Sequence, residues 1–227
     1  PEEMLRWAYT TYSARAGIMT SFQETGSVLI DMASRVAPEL RVITIDTLRL
    51  PFETYELIHT IETRYGLTIE RFEPDPERLR RMIEDHGEYL FFDSKTKQEY
   101  CCSIRKVEPN RRALATLDVW ITGLRKSQTA GRSTTPKASI IRQDGRMLLR
   151  LCPLVDWSDD HVWGYLRRFN VPTNTLYGKG YTSIGCTICS TPTLDHEDKR
   201  AGRWRWFNSL GESVNKECGI HTKGSGI

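Results

Sequence analysis

Two short apolar runs, Gly17-Ile18-Met19-Thr20 and Arg41-Val42-Ile43-Thr44-Ile45, stand on either side of a stretch with helical spacing at residues 26–35. Of all the features of this chain, that alternation constrains the fold most. Strands separated by a helix-sized crossover pair parallel to one another, because a hairpin turn leaves no room for the helix. The pattern continues with apolar runs at 67–71, 119–122 and 147–151 and helical spacing at 52–65, 76–86 and 159–169. The expectation is an α/β fold, a single domain over residues 1–208 with a mostly parallel sheet flanked by helices, followed by a mobile C-terminal tail at 209–227. No internal repeat is present. Chain-breaking residues cluster at 123–136 and 172–193, two long loops of the kind that usually carry function.

A chain of 227 residues can build a core without covalent staples, so its six cysteines are free for chemistry. The start, Pro1-Glu2-Glu3-Met4-Leu5-Arg6-Trp7, carries acids where a secretory signal has its basic region, and no long apolar run follows. The reading is a cytoplasmic protein with reduced thiols and no membrane contact. A net charge of +3 does not suit a nucleic-acid binder. The local basic stretch of Lys199, Arg200, Arg203, Arg205, Lys216 and Lys223 suits a small polyanionic ligand.

The first strand ends in Thr20-Ser21-Phe22-Gln23-Glu24-Thr25-Gly26-Ser27 and runs into a helix, bringing hydroxyls and backbone N–H groups to a positive helix end. Such a turn can hold a phosphate or be a plain helix start. It is neither a Walker A loop nor a dinucleotide fingerprint. Asp46-Thr47 closes the next strand, where ligands of open α/β sheets bind, although Asp46 could equally cap a helix starting near Pro51.

Cys101-Cys102 precedes Ser103-Ile104-Arg105-Lys106, with a helix expected from about Ser103, and Cys186-Thr187-Ile188-Cys189 lies in the second long loop. Four thiolates suit either an iron–sulfur cluster or zinc. A helix N-terminus and two cations would ease the concentration of negative charge. Cys152, before Pro153 in an apolar run, reads as a small core residue, and His59, His86, His161 and His196 show no ligand spacing. Cys218, in Glu217-Cys218-Gly219-Ile220-His221, sits among cations as a nucleophile would, although Glu217 opposes its ionisation.

Taken together, Cys101-Cys102-x-x-Arg105-Lys106-Val107-Glu108-Pro109, Ile121-Thr122-Gly123-Leu124-Arg125-Lys126-x-Gln128, Gly185-Cys186-x-x-Cys189, Arg200-Ala201-Gly202-Arg203-Trp204 and the Cys218 motif resemble the assimilatory adenylyl sulfate (APS) reductases, relatives of the phosphoadenylyl sulfate (PAPS) reductases. The resemblance implies an adenine-nucleotide α-hydrolase-like, PP-loop-related fold. It implies one 4Fe-4S cluster on Cys101, Cys102, Cys186 and Cys189, and Cys218 as the nucleophile. It places Lys106, Arg200, Arg203 and His221 around the substrate's sulfate. Arg125 and the loop through Arg132 fall on nucleotide phosphate, with Ser21, Phe22, Thr25, Asp46 and Thr47 completing the substrate site. PAPS reductases generally lack the paired cysteines, so all four favour APS as substrate and AMP as product. One departure stands out: the family reads Leu-Asp-Thr-Gly where this chain has Ile45-Asp46-Thr47-Leu48. The sequence given ends at Ile227 without a fused redoxin domain, which implies an external thioredoxin or glutaredoxin-like thiol donor. Whether the chain forms a homo-oligomer is left open.

Overall fold

Val119-Trp120-Ile121-Thr122 is buried along its whole length, the mark of a strand covered on both faces. The computed structural model describes residues 1–208, and in it this segment is β4 of a six-stranded sheet. The other strands are β1 (Ala16–Met19), β2 (Arg41–Ile45), β3 (Ile69–Phe72), β5 (Ala138–Gln143) and β6 (Arg146–Leu151), in the order β3-β2-β1-β4-β6-β5. β1 pairs parallel with β2 and with β4, and β4 pairs parallel with β6; β5 pairs antiparallel with β6. The α/β reading therefore holds. Ile18 is in register with Val42 on one side and Ile121 on the other, and Ile121 with Leu151, so these four side chains share one face. Onto them pack Leu5 and Ala8 of α1 (Glu2–Tyr12), Leu29 and Ile30 of α2 (Glu24–Val36), Leu57 and Ile61 of α3 (Phe52–Tyr65), and Val162 and Leu166 of α7 (Asp159–Arg168).

Among the elements that the sequence pattern does not reveal are α1, β5 and α5 (Lys95–Cys102). β5 was placed in no strand because, as an edge, it buries only one residue fully and shows no apolar run. Its signal was the Asp144-Gly145 turn, with φ of 48° and 79° at the two residues, the conformation that two-residue hairpins demand.

Contacts divide the chain into two units, the first comprising residues 1–44, 53–70 and 113–174 and the second 45–52, 71–112 and 175 onward. The second has its own core of Met82, Leu90, Phe91, Cys101 and Ile104. α4 (Pro76–His86) begins with the Asp75 carboxylate accepting from the Arg78 N–H at 2.8 Å, and α5 (Lys95–Cys102) with the Ser94 hydroxyl accepting from Lys97 N–H at 3.2 Å. α5 runs through a π turn at Ser103–Val107 into α6 (Glu108–Ala115). No described helix is long and apolar enough to cross a membrane.

Candidate functional site

The expected helix start near Ser103 is corrected by the structure. Because Ser94 caps the helix much earlier, Cys101 and Cys102 occupy the last turn of α5, and the N-terminus of that helix lies at Lys95 instead of beside them. Neighbouring helical residues project about 100° apart; Cys101 is buried against Phe91 and Ile104, while Cys102 is half-buried and accepts from Gln98 Nε2 at 3.1 Å. The π turn that follows is a feature often found at functional sites. It carries Arg105, which is 4 % exposed and donates from Nη1 to the Thr47 carbonyl at 3.0 Å. The Thr47 hydroxyl in turn lies 3.2 Å from Cys186 Sγ, so one short path joins the two cysteine motifs.

Cys186 and Cys189 bracket a single 3₁₀ turn, Thr187–Cys189, in which the Cys189 N–H donates to the Cys186 carbonyl at 2.9 Å. The turn is tethered by Thr187 N–H donating to the Arg49 carbonyl at 2.8 Å and by Arg203 Nε donating to the Cys189 carbonyl at 3.0 Å. Arg203 crosses directly over Gly185. A Cβ there would lie 2.3 Å from the guanidinium, so any larger residue would have to push the Arg203 side chain aside. Arg203 also lies 4.8 Å from the Trp204 ring centroid.

All four cysteines line one cavity of about 480 Å³, counting the space open to solvent, together with Arg49, Arg105, Lys106 and Arg203. Burial pushes the Cys101 thiol up, against the pull of Arg105 and Arg49. The Cys189 thiol is pushed up to about 12, first by burial and then by Cys186, with Arg203 opposing. These are therefore protonated thiols at neutral pH, and a bound metal would displace their protons. Among the described residues no three of Cys, His, Asp and Glu are placed to hold a single metal ion. What the cavity has instead is four thiols with buried donors turned towards two of them, Arg105 at Cys101 and the Trp204 indole N–H at Cys189. Such a wall suits an anionic group larger than one ion.

In the first unit, the β1–α2 turn lies at the carboxyl end of β1, beside that of β4. The strand order reverses between these two strands, and open α/β sheets bind ligands there. Phe22, buried and with φ of 55°, donates its N–H to Thr20 Oγ1 at 2.9 Å; Ser21 is exposed and Thr25 buried. The absent Cβ of Gly26 leaves space for Thr20 Oγ1, which lies 2.0 Å from its position, and that of Gly123 for Thr25 Oγ1 at 2.5 Å. Two hydroxyls are thereby admitted against backbone at the end of the two strands.

Arg125 is fully buried and donates to Ser127 Oγ (2.8 Å), the Trp157 carbonyl (3.1 Å), Asp159 Oδ1 (2.7 Å) and Glu24 Oε1 (3.3 Å), which makes it the hub of this corner. Arg132 donates to Gln128 Oε1 at 2.5 Å. In the second unit Asp46 is buried, and its Oδ1 accepts from Leu48 N–H at 2.8 Å, ahead of α3, which begins at Phe52. Lys106 is half-buried at the cavity, and Arg200 Nη1 lies 3.5 Å from Ser183 Oγ. Cys218 and His221 lie outside the described residues. Cys152 is buried beside Leu124 and Val155 with its thiol pushed up to about 11, as a core residue should be. The sequence reading missed Arg49 as a site residue, although it follows Asp46-Thr47 by two positions.

The sequence model of the phosphoadenosine phosphosulfate reductase domain matches residues 16–192. The chain is 40% identical to an adenosine 5'-phosphosulfate reductase of Allochromatium vinosum over 204 residues, covering 90% of this chain and 77% of that one. It is 36% identical to adenosine 5'-phosphosulfate reductase 2 of Bacillus subtilis, covering 96% and 88%. Among solved structures, a phosphoadenylyl-sulfate reductase from Candida auris in a phosphate complex superposes with a TM-score of 0.72 at 30% identity, covering 84% of this chain and 90% of that one. An FMN adenylyltransferase of Candida glabrata, at 15% identity and a TM-score of 0.57 over 86% and 65% of the two chains, shares the fold alone.

Proposed function

Because the chain belongs to the phosphoadenosine phosphosulfate reductase domain family, we propose that it is the oxidoreductase that reduces adenylyl sulfate to sulfite and AMP in assimilatory sulfate reduction. The observation that carries this choice of substrate is the convergence of Cys101, Cys102, Cys186 and Cys189 on one cation-walled cavity. The four thiols suit one 4Fe-4S cluster. Each iron of such a cluster takes its own thiolate, so the sulfurs need not meet at one ion, as they must around zinc at about 2.3 Å. When bound, the cluster would place a compact anionic group beside Lys106 and organise the cations around it.

The protein's own residues then do the following. The Cys218 thiolate attacks the sulfate sulfur, the S–O bond to the phosphate breaks, and AMP leaves with that oxygen. The enzyme retains Cys218 as its S-sulfonate. A thiolate of the donor attacks the Cys218 sulfur and releases sulfite, giving a mixed disulfide; the donor's second thiol frees Cys218 and leaves the donor oxidised. An anion attacks an anion in the first step. Lys106, Arg200, Arg203 and His221 answer that by neutralising the sulfate oxygens. Thr20, Thr25 and the backbone freed by Gly26 and Gly123 suit the nucleotide end, with Ser21, Phe22, Asp46 and Thr47 assigned to the same substrate. Arg125 supports that end by fixing the loop, and Arg132 remains assigned to phosphate.

Incubation with APS in the absence of thiol, followed by peptide mass spectrometry, tests the mechanism. The expected result is a sulfonate mass on the peptide holding Cys218 that vanishes on adding thioredoxin. The same mass on Cys152, or sulfite turnover by Cys218→Ser, would assign the chemistry elsewhere.

A further inference from the structure

Arg49 makes more connections at the cysteine cavity than its place in the sequence suggests. Its carbonyl accepts from both Thr187 N–H at 2.8 Å and Thr187 Oγ1 at 3.3 Å, inside the Cys186–Cys189 turn. Its guanidinium donates to the Glu88 carbonyl at 2.7 Å and to the Glu88 carboxylate at 3.1 Å, and lies 5.9 Å and 5.1 Å from the ring centroids of Tyr89 and Phe91. Phe91 packs against Cys101 in the core of this unit. A single residue thus fixes both the CxxC turn and the aromatic segment behind the vicinal pair. Its side chain is only 10% exposed, and it shares the cavity wall with a second buried guanidinium, that of Arg105. Two cations on one buried wall repel each other unless negative charge sits before them, and Glu88, 57% exposed, balances only one of them from the outside.

We propose that Arg49 is a positioning residue for the cysteine cavity: it holds the two cysteine-bearing segments in register, and its charge sets the potential felt by the anionic metal–sulfur group between them. This rests on the iron–sulfur reading above. A nearby cation stabilises the more negative, reduced state of such a group and raises its reduction potential. Neutralising the cation lowers the potential, and removing its counter-charge raises it.

The test uses the full chain reconstituted anaerobically with iron and sulfide, comparing wild type with R49Q, R49K and E88Q by iron content and by film voltammetry. R49Q is expected to shift the midpoint potential negative, E88Q to shift it positive, and R49K to restore it towards wild type. Should R49Q lose its iron, that loss supports the positioning role, and E88Q, altered only at an exposed carboxylate, reads the charge. An iron-loaded wild type with potentials unchanged in E88Q and R49Q, or shifted in the same direction by both, would overturn the role of Arg49. A wild type that binds no iron would instead overturn the cluster reading on which it rests.

Discussion

Leu48 holds a φ of 56°, in the left-handed region where a side chain clashes with its own backbone, while remaining 47% exposed. The turn is one that glycine adopts without strain, and it is pinned by Asp46 Oδ1 accepting the Leu48 N–H. Leu48→Gly should therefore raise stability by about 1 kcal/mol, since strain is relieved and little buried surface is lost; the urea midpoint is the readout. Arg125 and Lys106 separate at this scale as well. Arg125→Ala removes a fully buried guanidinium that donates to Glu24 and Asp159 and should cost on the order of 3 kcal/mol, measured as loss of fold before loss of ligand. Lys106→Ala should keep the fold and AMP inhibition, yet slow single-turnover sulfonation of Cys218 by on the order of 10²- to 10³-fold. Equal losses in AMP binding and sulfonation would remove Lys106 from the sulfate site. Sequence could name both residues by motif. It could not tell a buried hub from a cavity cation, because that difference lies in partners 2 to 101 positions distant, such as Ser127 and Glu24.

Among elements, those with a strong buried period were legible: α3 and α4 begin and end where their spacing places them. β5 was not legible because an edge strand needs no apolar run, and α5 was not because its apolar period is weak while the cysteines drew attention to Ser103. The loop that carries the CxxC turn has a counterpart in electrostatics. Glu197 is held down to about 2, first by Arg205 and then by the Leu194 N–H, and Arg205 also donates to Thr191 Oγ1 at 3.0 Å and to the Pro192 carbonyl at 2.7 Å. A carboxylate with a lowered folded pKa contributes above its ordinary range and loses that contribution as pH falls through the folded value. Wild type and Glu197→Gln should thus differ in melting temperature at pH 5 and converge as pH approaches 2. A difference that persists unchanged to pH 2 would exclude the pair as its cause.

At the scale of the whole molecule, Cys101-Cys102 and Cys186-x-x-Cys189, over 80 positions apart in sequence, come to one cavity, and the Thr47 and Arg49 segment touches both groups. Replacing any one of the four by serine should strip or destabilise bound iron, whereas Cys152→Ser, in the other unit, should leave iron content unchanged. Full iron occupancy in two of the four variants would break the ligand assignment. The most direct measurement of the central claim is sulfite release by the anaerobically purified protein with thioredoxin as reductant, APS and PAPS being supplied in parallel. Rapid, thioredoxin-dependent sulfite formation from APS and little from PAPS is the predicted result; turnover of PAPS in preference to APS, or sulfite from neither, would contradict it.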